Sequence, residues 1–169
     1  MRVFGIDPGS NATGYAVVQR KAGRYLLLDS GVIRTKSSDP VPQRLHRIHA
    51  GLADLLGASG AEVVAIEAIF RHKSSESALR LGQARGVALL AAAQAGFEVY
   101  EYNAMTVKKT VAGHGSANKD ELGRMVQRLL GLEDSLPADA GDAAAIAMTH
   151  LGHARIVALA AQAGARARR

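Results

Sequence analysis

The stretch RVFGIDPGSNATGYAVVQR, residues 2 to 20, decides how this chain folds. Residues 2 to 7 form a continuous apolar run with β-branched and aromatic members, which is typical of a central strand covered on both faces. A turn rich in Pro, Gly, Ser and Asn follows at once, and a second strand pattern begins at residue 13. Asp7 therefore ends a buried strand, either as an ordinary turn residue or as a carboxylate positioned for chemistry.

The rest of the chain predicts a mixed sheet of α/β class. Residues 24 to 35 form a third strand, joined to the second by a short Gly-containing hairpin link. Two more strands, 62 to 67 and 97 to 102, each follow a helical pattern, so the first of them is expected to lie parallel to strand 2 to 7. Together they predict a five-stranded sheet with helices on both faces. The predicted helices run from Pro42 to the glycines at 57 and 60, and over residues 75–95, 118–131 and 139–157.

Composition bounds the function classes. The 169 residues are expected to form one domain over 1–157, with a flexible basic tail at 158–169. The absence of cysteine excludes disulfides, zinc–thiolate sites and cysteine nucleophiles. Neither a signal peptide nor an apolar membrane segment is indicated, so a cytoplasmic location is expected. A formal charge of +6 favours a polyanionic partner such as nucleic acid.

Four acidic residues are candidates for one site. Asp7 and Glu67 end strands predicted to be parallel neighbours, at the edge where α/β sheets bind ligands. Asp139 and Asp142 share one face of a helix that could reach the same edge. Such a cluster either takes up protons or binds divalent cations, and oxygen-only ligands suit Mg²⁺ or Mn²⁺. Singly, each residue is also an ordinary turn, strand-end or cap residue, so only their joint placement indicates a site.

Five motifs, in this order and spacing, resemble the bacterial RuvC family of Holliday-junction resolvases. The resemblance covers residues 1 to about 155. It implies a ribonuclease-H-like fold and a homodimeric endonuclease that nicks a four-way DNA junction symmetrically, with the RuvA–RuvB branch-migration complex as a partner. The motifs are GIDPGSNATGY from residue 5, AIEAIF from 65, SALRLGQARGVAL from 77, EYNAMTVKKTVAGHGSANKDEL from 101 and PADAGDAAAIAMTH from 137.

The resemblance also implies catalytic roles. The acidic tetrad Asp7, Glu67, Asp139 and Asp142 matches residues that bind two Mg²⁺ ions, which Mn²⁺ is expected to replace, and Asp7 would bridge them. Water would attack the phosphodiester in line, leaving a 5′-phosphate and a 3′-hydroxyl. The glycines after Asp7 would let backbone approach closely. Lys119 would stabilise charge near the scissile phosphate, although it also stands where a capped helix begins.

Further residues are predicted to contact DNA or a second copy of the chain. By resemblance, Phe70 is the apolar wedge that disturbs base stacking, with a core position as the alternative. Gly82 and Gly86 lie one turn apart in a helix, where each costs ~1 kcal/mol relative to Ala. A closely packed backbone would offset that cost, either from the chain's own sheet or across a dimer axis. The predicted phosphate contacts, each otherwise a solvated surface charge, are Arg71, Lys73, Arg80, Arg85, Lys108, Lys109 and Lys119.

Two other functions remain open. In a non-catalytic module that binds four-way junctions, the carboxylates would be caps and the basic face would do the binding. Actin-like and sugar-kinase phosphotransferases also place an Asp before a Gly-rich hairpin, but they use two such domains. Turnover that requires Mg²⁺ would separate a nuclease from a binding module. The histidine pairs at 46 and 49 and at 150 and 153 lack an acidic third ligand and are predicted to lie at the surface.

Overall fold

The computed structural model describes residues 1–68 and 75–166, with side chains up to Ala154. Five strands form one sheet in the order β3-β2-β1-β4-β5, with β1 at its centre. β1 pairs antiparallel with β2 and parallel with β4, β2 pairs antiparallel with β3, and β4 pairs parallel with β5. The predicted mixed, ribonuclease-H-like sheet is thereby confirmed. The strands are β1 Arg2–Asp7, β2 Ala12–Lys21, β3 Arg24–Arg34, β4 Val63–Glu67 and β5 Val99–Tyr102.

Helices cover both faces of this sheet, as predicted. One face packs apolar side chains of β1 and β4 against α1 and α2, through residues such as Phe4, Ile48 and Ala88. The opposite face packs against α3, α4 and α5, through residues such as Val126 and Met148. Alternation along each strand therefore assigns successive side chains to different layers. The helices are α1 Val41–Ala58, α2 Ser75–Gln94, α3 Ala104–Ala112, α4 Lys119–Leu130 and α5 Ala138–Arg166.

Two helices differ from the prediction. The sequence pattern did not predict α3, although Asn103 caps its first turn through Thr106 and Gly113 ends it with a φ of 87°. The pattern was too short and too polar to stand out as a periodic stripe. The last helix, α5, continues to Arg166, beyond its predicted end at residue 157. The flexibility of the tail stays a prediction.

Two glycines let α5 lie against the centre of the sheet. A Cβ atom on Gly5 of β1 would stand 2.1 Å from the carbonyl oxygen of Ala143, and one on Gly14 of β2 would stand 2.0 Å from that of Asp139. Both distances are far below van der Waals contact, so any side chain at these positions would displace the helix. The absence of Cβ atoms thus brings the start of α5 to the end of β1, where Asp7 and Gly14 pair.

The prediction that His150 lies at the surface was wrong. Its side chain is 4% exposed. Its Nδ1 atom lies 2.9 Å from the hydroxyl of Tyr102, and its ring lies 4.4 Å from that of Tyr100. α5 is buried on this side because it crosses the sheet, so His150 faces the sheet and finds its partners on β5.

No helix in the part of the chain that the structure describes is long and apolar enough to cross a membrane.

Candidate active site

Three carboxylates meet at one cleft on the α5 side of the sheet. Val3 and Val63 face α5, and the two-residue period of a strand puts Asp7 and Glu67 on that same face. Asp142 reaches the cleft from the beginning of α5. The cleft has a volume of about 260 Å³. It is lined by Asp7, Glu67, Asp142, Lys108 and Lys119, and by the apolar Ala104, Val107, Leu122 and Ile146.

Burial and mutual repulsion perturb these carboxylates. Desolvation, followed by the charges of Glu67, Asp142 and Asp139, raises the pKa of Asp7 from 3.8 to about 8, with Lys119 acting in the opposite direction. Burial also raises the pKa of Asp142, again against the attraction of Lys119. The cleft therefore holds more negative charge than the chain alone neutralises, which is the condition under which an acidic cluster takes up protons or a cation.

Lys119 combines two roles that the sequence left open. Asn118 and Glu121 form a reciprocal capping box, so α4 begins at Lys119. The Lys119 Nζ atom lies 3.5 Å from Oδ2 of Asp142, while its side chain is 85% exposed. The charge of Asp142 raises the pKa of Lys119, which keeps the ammonium protonated. The capped start of α4 therefore places the ammonium of Lys119 at the mouth of the cleft.

Asp139 occupies a different position from the other three acids. Its main-chain carbonyl packs against Gly14 of β2, and its side chain is not among those that line the cleft. Its charge nevertheless contributes to the raised pKa of Asp7. The role of Asp139 as a metal ligand therefore stays a prediction. Its position better supports a role as a negative charge near Asp7.

The donor set fits Mg²⁺ or Mn²⁺ in its chemistry. Every anionic group in the cleft is a carboxylate, and hard divalent cations prefer oxygen ligands. Within residues 1–68 and 75–154, no three acidic, His or Cys groups form a ready-made ligand cage for one ion. Mg²⁺ is usually held by one or two carboxylates together with water and substrate phosphate oxygens.

The predicted DNA contacts fall into three groups. Lys108 lines the cleft and its charge opposes the raised pKa of Asp142, whereas Lys109 is exposed outside the cleft lining. On α2, Arg80 pairs with Glu76, and Arg85 bonds Glu101 and the carbonyl of Glu67. The donors of Arg85 thus hold the end of β4, which favours a structural role. Phe70, Arg71 and Lys73 lie outside the described residues.

Gly82 and Gly86 lie on an open face of α2. Apart from the chain neighbours and the backbone of α2 itself, no atom of the described residues comes within 4 Å of a Cβ atom built on either glycine, so packing against the chain's own sheet does not account for them. Leu79 and Leu90, on the same side of the helix, are 62% and 50% exposed. These four residues form an exposed apolar surface, the α2 stripe, which is typical of an interface.

Sequence reasoning missed a second cleft that continues from the first. It has a volume of about 470 Å³ and lies between α4 and the start of α5. The two clefts share Lys119, Leu122 and Asp142. The second cleft adds the polar side chains of Asp120, Arg124, Gln127 and Ser135. No motif marks Arg124, because its relevance comes only from the position of α4 beside α5.

Comparisons with known proteins agree with this geometry. Residues 3–150 match the family model of crossover junction endodeoxyribonuclease RuvC. The chain is 43% identical to a protein of that name from Citrifermentans bemidjiense over 94% of this chain and 97% of the relative, and 50% identical to one from Haemophilus influenzae over 88% and 77%. Among solved structures, T. thermophilus RuvC in complex with Holliday junction substrate aligns with a TM-score of 0.87 and 42% identity, over 92% of this chain and 96% of that one.

Proposed function

The chain belongs to the RuvC family of crossover junction endodeoxyribonucleases, and we propose that it resolves Holliday junctions by hydrolysis at the cleft of Asp7, Glu67 and Asp142. One observation carries the proposal: three carboxylates from β1, β4 and α5 converge beside two lysines in a single cleft. A module that only binds DNA has no use for a buried carboxylate that repels its neighbours, because negative charge weakens phosphate binding.

We propose that Asp7, Glu67 and Asp142 hold two Mg²⁺ ions, with Asp139 close by and Mn²⁺ able to substitute. When bound, the ions would activate water for in-line attack and stabilise the leaving oxygen, giving a 5′-phosphate and a 3′-hydroxyl. The raised pKa of Asp7 supports this proposal, because its ionised form lacks compensation from the chain alone. Phosphate oxygens of the substrate would complete the ligand set that the protein leaves open.

The chain's own residues prepare the substrate for this reaction. The Lys119 ammonium lies 3.5 Å from Oδ2 of Asp142 at the mouth of the cleft, where it can attract a phosphate and stabilise the charge that develops as the bond breaks. Lys108 lines the same cleft and adds a second positive charge. The neighbouring cleft, with Arg124, offers a path along which the cut strand can continue. Phe70, Arg71, Lys73, Arg80 and Lys109 remain proposed DNA contacts.

A homodimer would let one molecule cut two strands at symmetric positions. The α2 stripe supports this arrangement, because its exposed leucines flank two glycines that leave room for a close-packed helix. Packing along a two-fold axis places the same surface of both copies in contact. We further propose a cytoplasmic location and cooperation with the RuvA–RuvB branch-migration complex.

The proposal is tested with a labelled synthetic four-way junction and a linear duplex of the same sequence. Wild type, Asp142→Asn and Asp134→Asn are compared with and without Mg²⁺, and binding is measured separately in EDTA by fluorescence anisotropy. Asp134 is exposed and outside both clefts, so its variant makes the same chemical change as a control. We expect paired nicks in the junction alone, which require Mg²⁺ and fall at least about a hundredfold in Asp142→Asn.

Junction binding by Asp142→Asn should equal or exceed that of wild type, because the substitution removes a negative charge from a basic protein. End-group analysis of the products separates a 5′-phosphate from a 5′-hydroxyl. If the wild type binds the junction but cuts it under no metal, the binding-module interpretation replaces the nuclease. Equal losses of cleavage in Asp134→Asn and Asp142→Asn would refute the assignment of the cleft.

A further inference from the structure

Arg44 is a buried cation whose donors are directed at the loop that follows β1. Its side chain on α1 is 4% exposed. Nη2 donates to the carbonyl oxygen of Ser10 and to Oδ1 of Asn11, each at 2.6 Å, and Nε donates to Oγ1 of Thr35 at 3.3 Å. No carboxylate of the described residues lies within ion-pair distance. Burying a charge without an opposite charge beside it costs free energy. We therefore expect the hydrogen bonds from Arg44 to the loop to serve a purpose.

Thr35 closes these contacts into a network. Its Oγ1 atom donates to the carbonyl of Ser10 at 2.7 Å, so that carbonyl accepts two hydrogen bonds, one from α1 and one from the residue after β3. The amide of Thr35 donates to the carbonyl of Asn11 at 2.9 Å. On the other side of the loop, Oγ1 of Thr13 donates to the carbonyl of Gly9 at 2.8 Å. The loop is therefore fixed from three directions.

The position of this loop matters because Asp7 lies at its edge. Pairing between β1 and β4 stops at Ile6, so Asp7 has only Gly14 of β2 as a paired neighbour. Residues 8–11 connect the strand that ends at Asp7 to the strand that contains Gly14. Gly14 in turn contacts the first turn of α5. A shift of the loop would therefore move the carboxylate from β1 relative to the one from α5.

We propose that Arg44 is a positioning residue of the nuclease: it holds the loop of residues 8–11 so that Asp7 stays aligned with Glu67 and Asp142. This inference rests on the proposed function and adds to it a buried residue that does not line the cleft. The planar guanidinium directs donors at three oxygens at once, whereas the single ammonium of lysine cannot reproduce that fork. Arg44 is 33 residues away from Asn11 in sequence, so no local motif reveals it.

The test compares Arg44→Met, Arg44→Lys and Arg47→Met with wild type. Methionine keeps much of the length and packing of the side chain but removes every donor. Arg47 lies one turn further along α1 and is exposed, so Arg47→Met removes the same charge without touching the loop. For each protein, the single-turnover cleavage rate of a four-way junction is measured in Mg²⁺, and the Kd for the same junction is measured in EDTA.

We expect the cleavage rate of Arg44→Met to fall about 10- to 100-fold, because a displacement of about 1 Å at a reacting group costs on that order. Its Kd should stay within about threefold of that of Arg47→Met, since both lose one positive charge. Arg44→Lys should retain an intermediate rate. A further variant, Arg44→Ala, leaves a space of matching shape. Added guanidinium ion at millimolar concentration should restore part of the cleavage rate of this variant.

Thr35→Val gives an independent measurement if Arg44→Met folds poorly. It removes the hydroxyl that links Arg44 to Ser10 but adds no charge and little change in size, and we expect a fall in rate of about 3- to 10-fold without weaker binding. An unchanged rate in both variants, or equal losses of rate and binding, would overturn the positioning role. A wild type that does not cut would instead refute the proposed function.

Discussion

Replacing Asp7 by asparagine should stabilise the metal-free protein while it abolishes cleavage. Burial and the neighbouring carboxylates raise the pKa of Asp7 from 3.8 to about 8. At pH 7 the folded protein therefore keeps this carboxyl about nine-tenths protonated, whereas the unfolded chain ionises it. Each pKa unit corresponds to about 1.36 kcal/mol. Because pH 7 lies well above the ordinary pKa of 3.8, keeping the Asp7 carboxyl protonated costs the folded state about 4 kcal/mol at most. Asparagine avoids this cost.

The pH dependence gives this prediction its sign. Because the folded pKa of Asp7 is the raised one, the stability associated with its proton is complete below pH 4 and is lost as the pH rises through 8. The stability difference between Asp7→Asn and wild type should be near zero at pH 4, reach about 2–4 kcal/mol at pH 7 and level off above pH 8. Urea denaturation in EDTA at a fixed chain concentration measures it.

Asp54→Asn is the matched control, since Asp54 is exposed on α1 and its substitution makes the same chemical change away from the cleft. Added Mg²⁺ should raise the denaturation midpoint of wild type but not that of Asp7→Asn. Calorimetry in two buffers of different ionisation enthalpy should detect the release of about one proton per site when Mg²⁺ binds at pH 7. A stability difference that is independent of pH would refute the reasoning.

Three further predictions test other parts of the structure. Gly14→Ala should lower the free energy of unfolding by about 1–3 kcal/mol and slow cleavage about a hundredfold, because α5 must move away from the sheet. Gly57→Ala, in open space on α1, should do neither. Equal effects of the two substitutions would contradict the close contact between Gly14 and α5. Leu90→Glu should convert the proposed dimer to monomers in light scattering and abolish paired nicks, whereas Leu129→Glu on α4 should not; dimers in both variants would exclude the α2 stripe. Lys119→Met should slow cleavage at least tenfold with a Kd within about threefold of wild type, and a loss of binding alone would make Lys119 a docking residue.

Much of the sheet was predictable because its central strands carry a strong local signal. The continuous apolar run of β1 and the crossover to β4 follow from composition, periodicity and chain connectivity. The sequence alone therefore predicts that the two carboxylates at the ends of these strands lie side by side. Asp142 was predictable only as a candidate, because the contact between α5 and the sheet is not encoded locally.

The unpredicted features depend on residues far apart in the chain. Gly5 and Gly14 resemble ordinary strand glycines until α5 is packed on them at about 2 Å from their absent Cβ atoms. Arg44 resembles a surface charge on an amphipathic helix until the loop after β1 supplies its acceptors. His150 is buried where α5 crosses the sheet, and the hydroxyl of Tyr102 on another element is its polar partner. In each case a tertiary contact overrides the local pattern.

The docking of α5 on Gly5 and Gly14 has a consequence for folding. Asp7 and Asp142 are 135 residues apart in sequence, and the cleft is complete only when α5 lies on β1 and β2. Contacts of such large sequence separation form late in folding. During refolding we therefore expect the sheet to form before cleavage activity appears, because the last carboxylate arrives with α5.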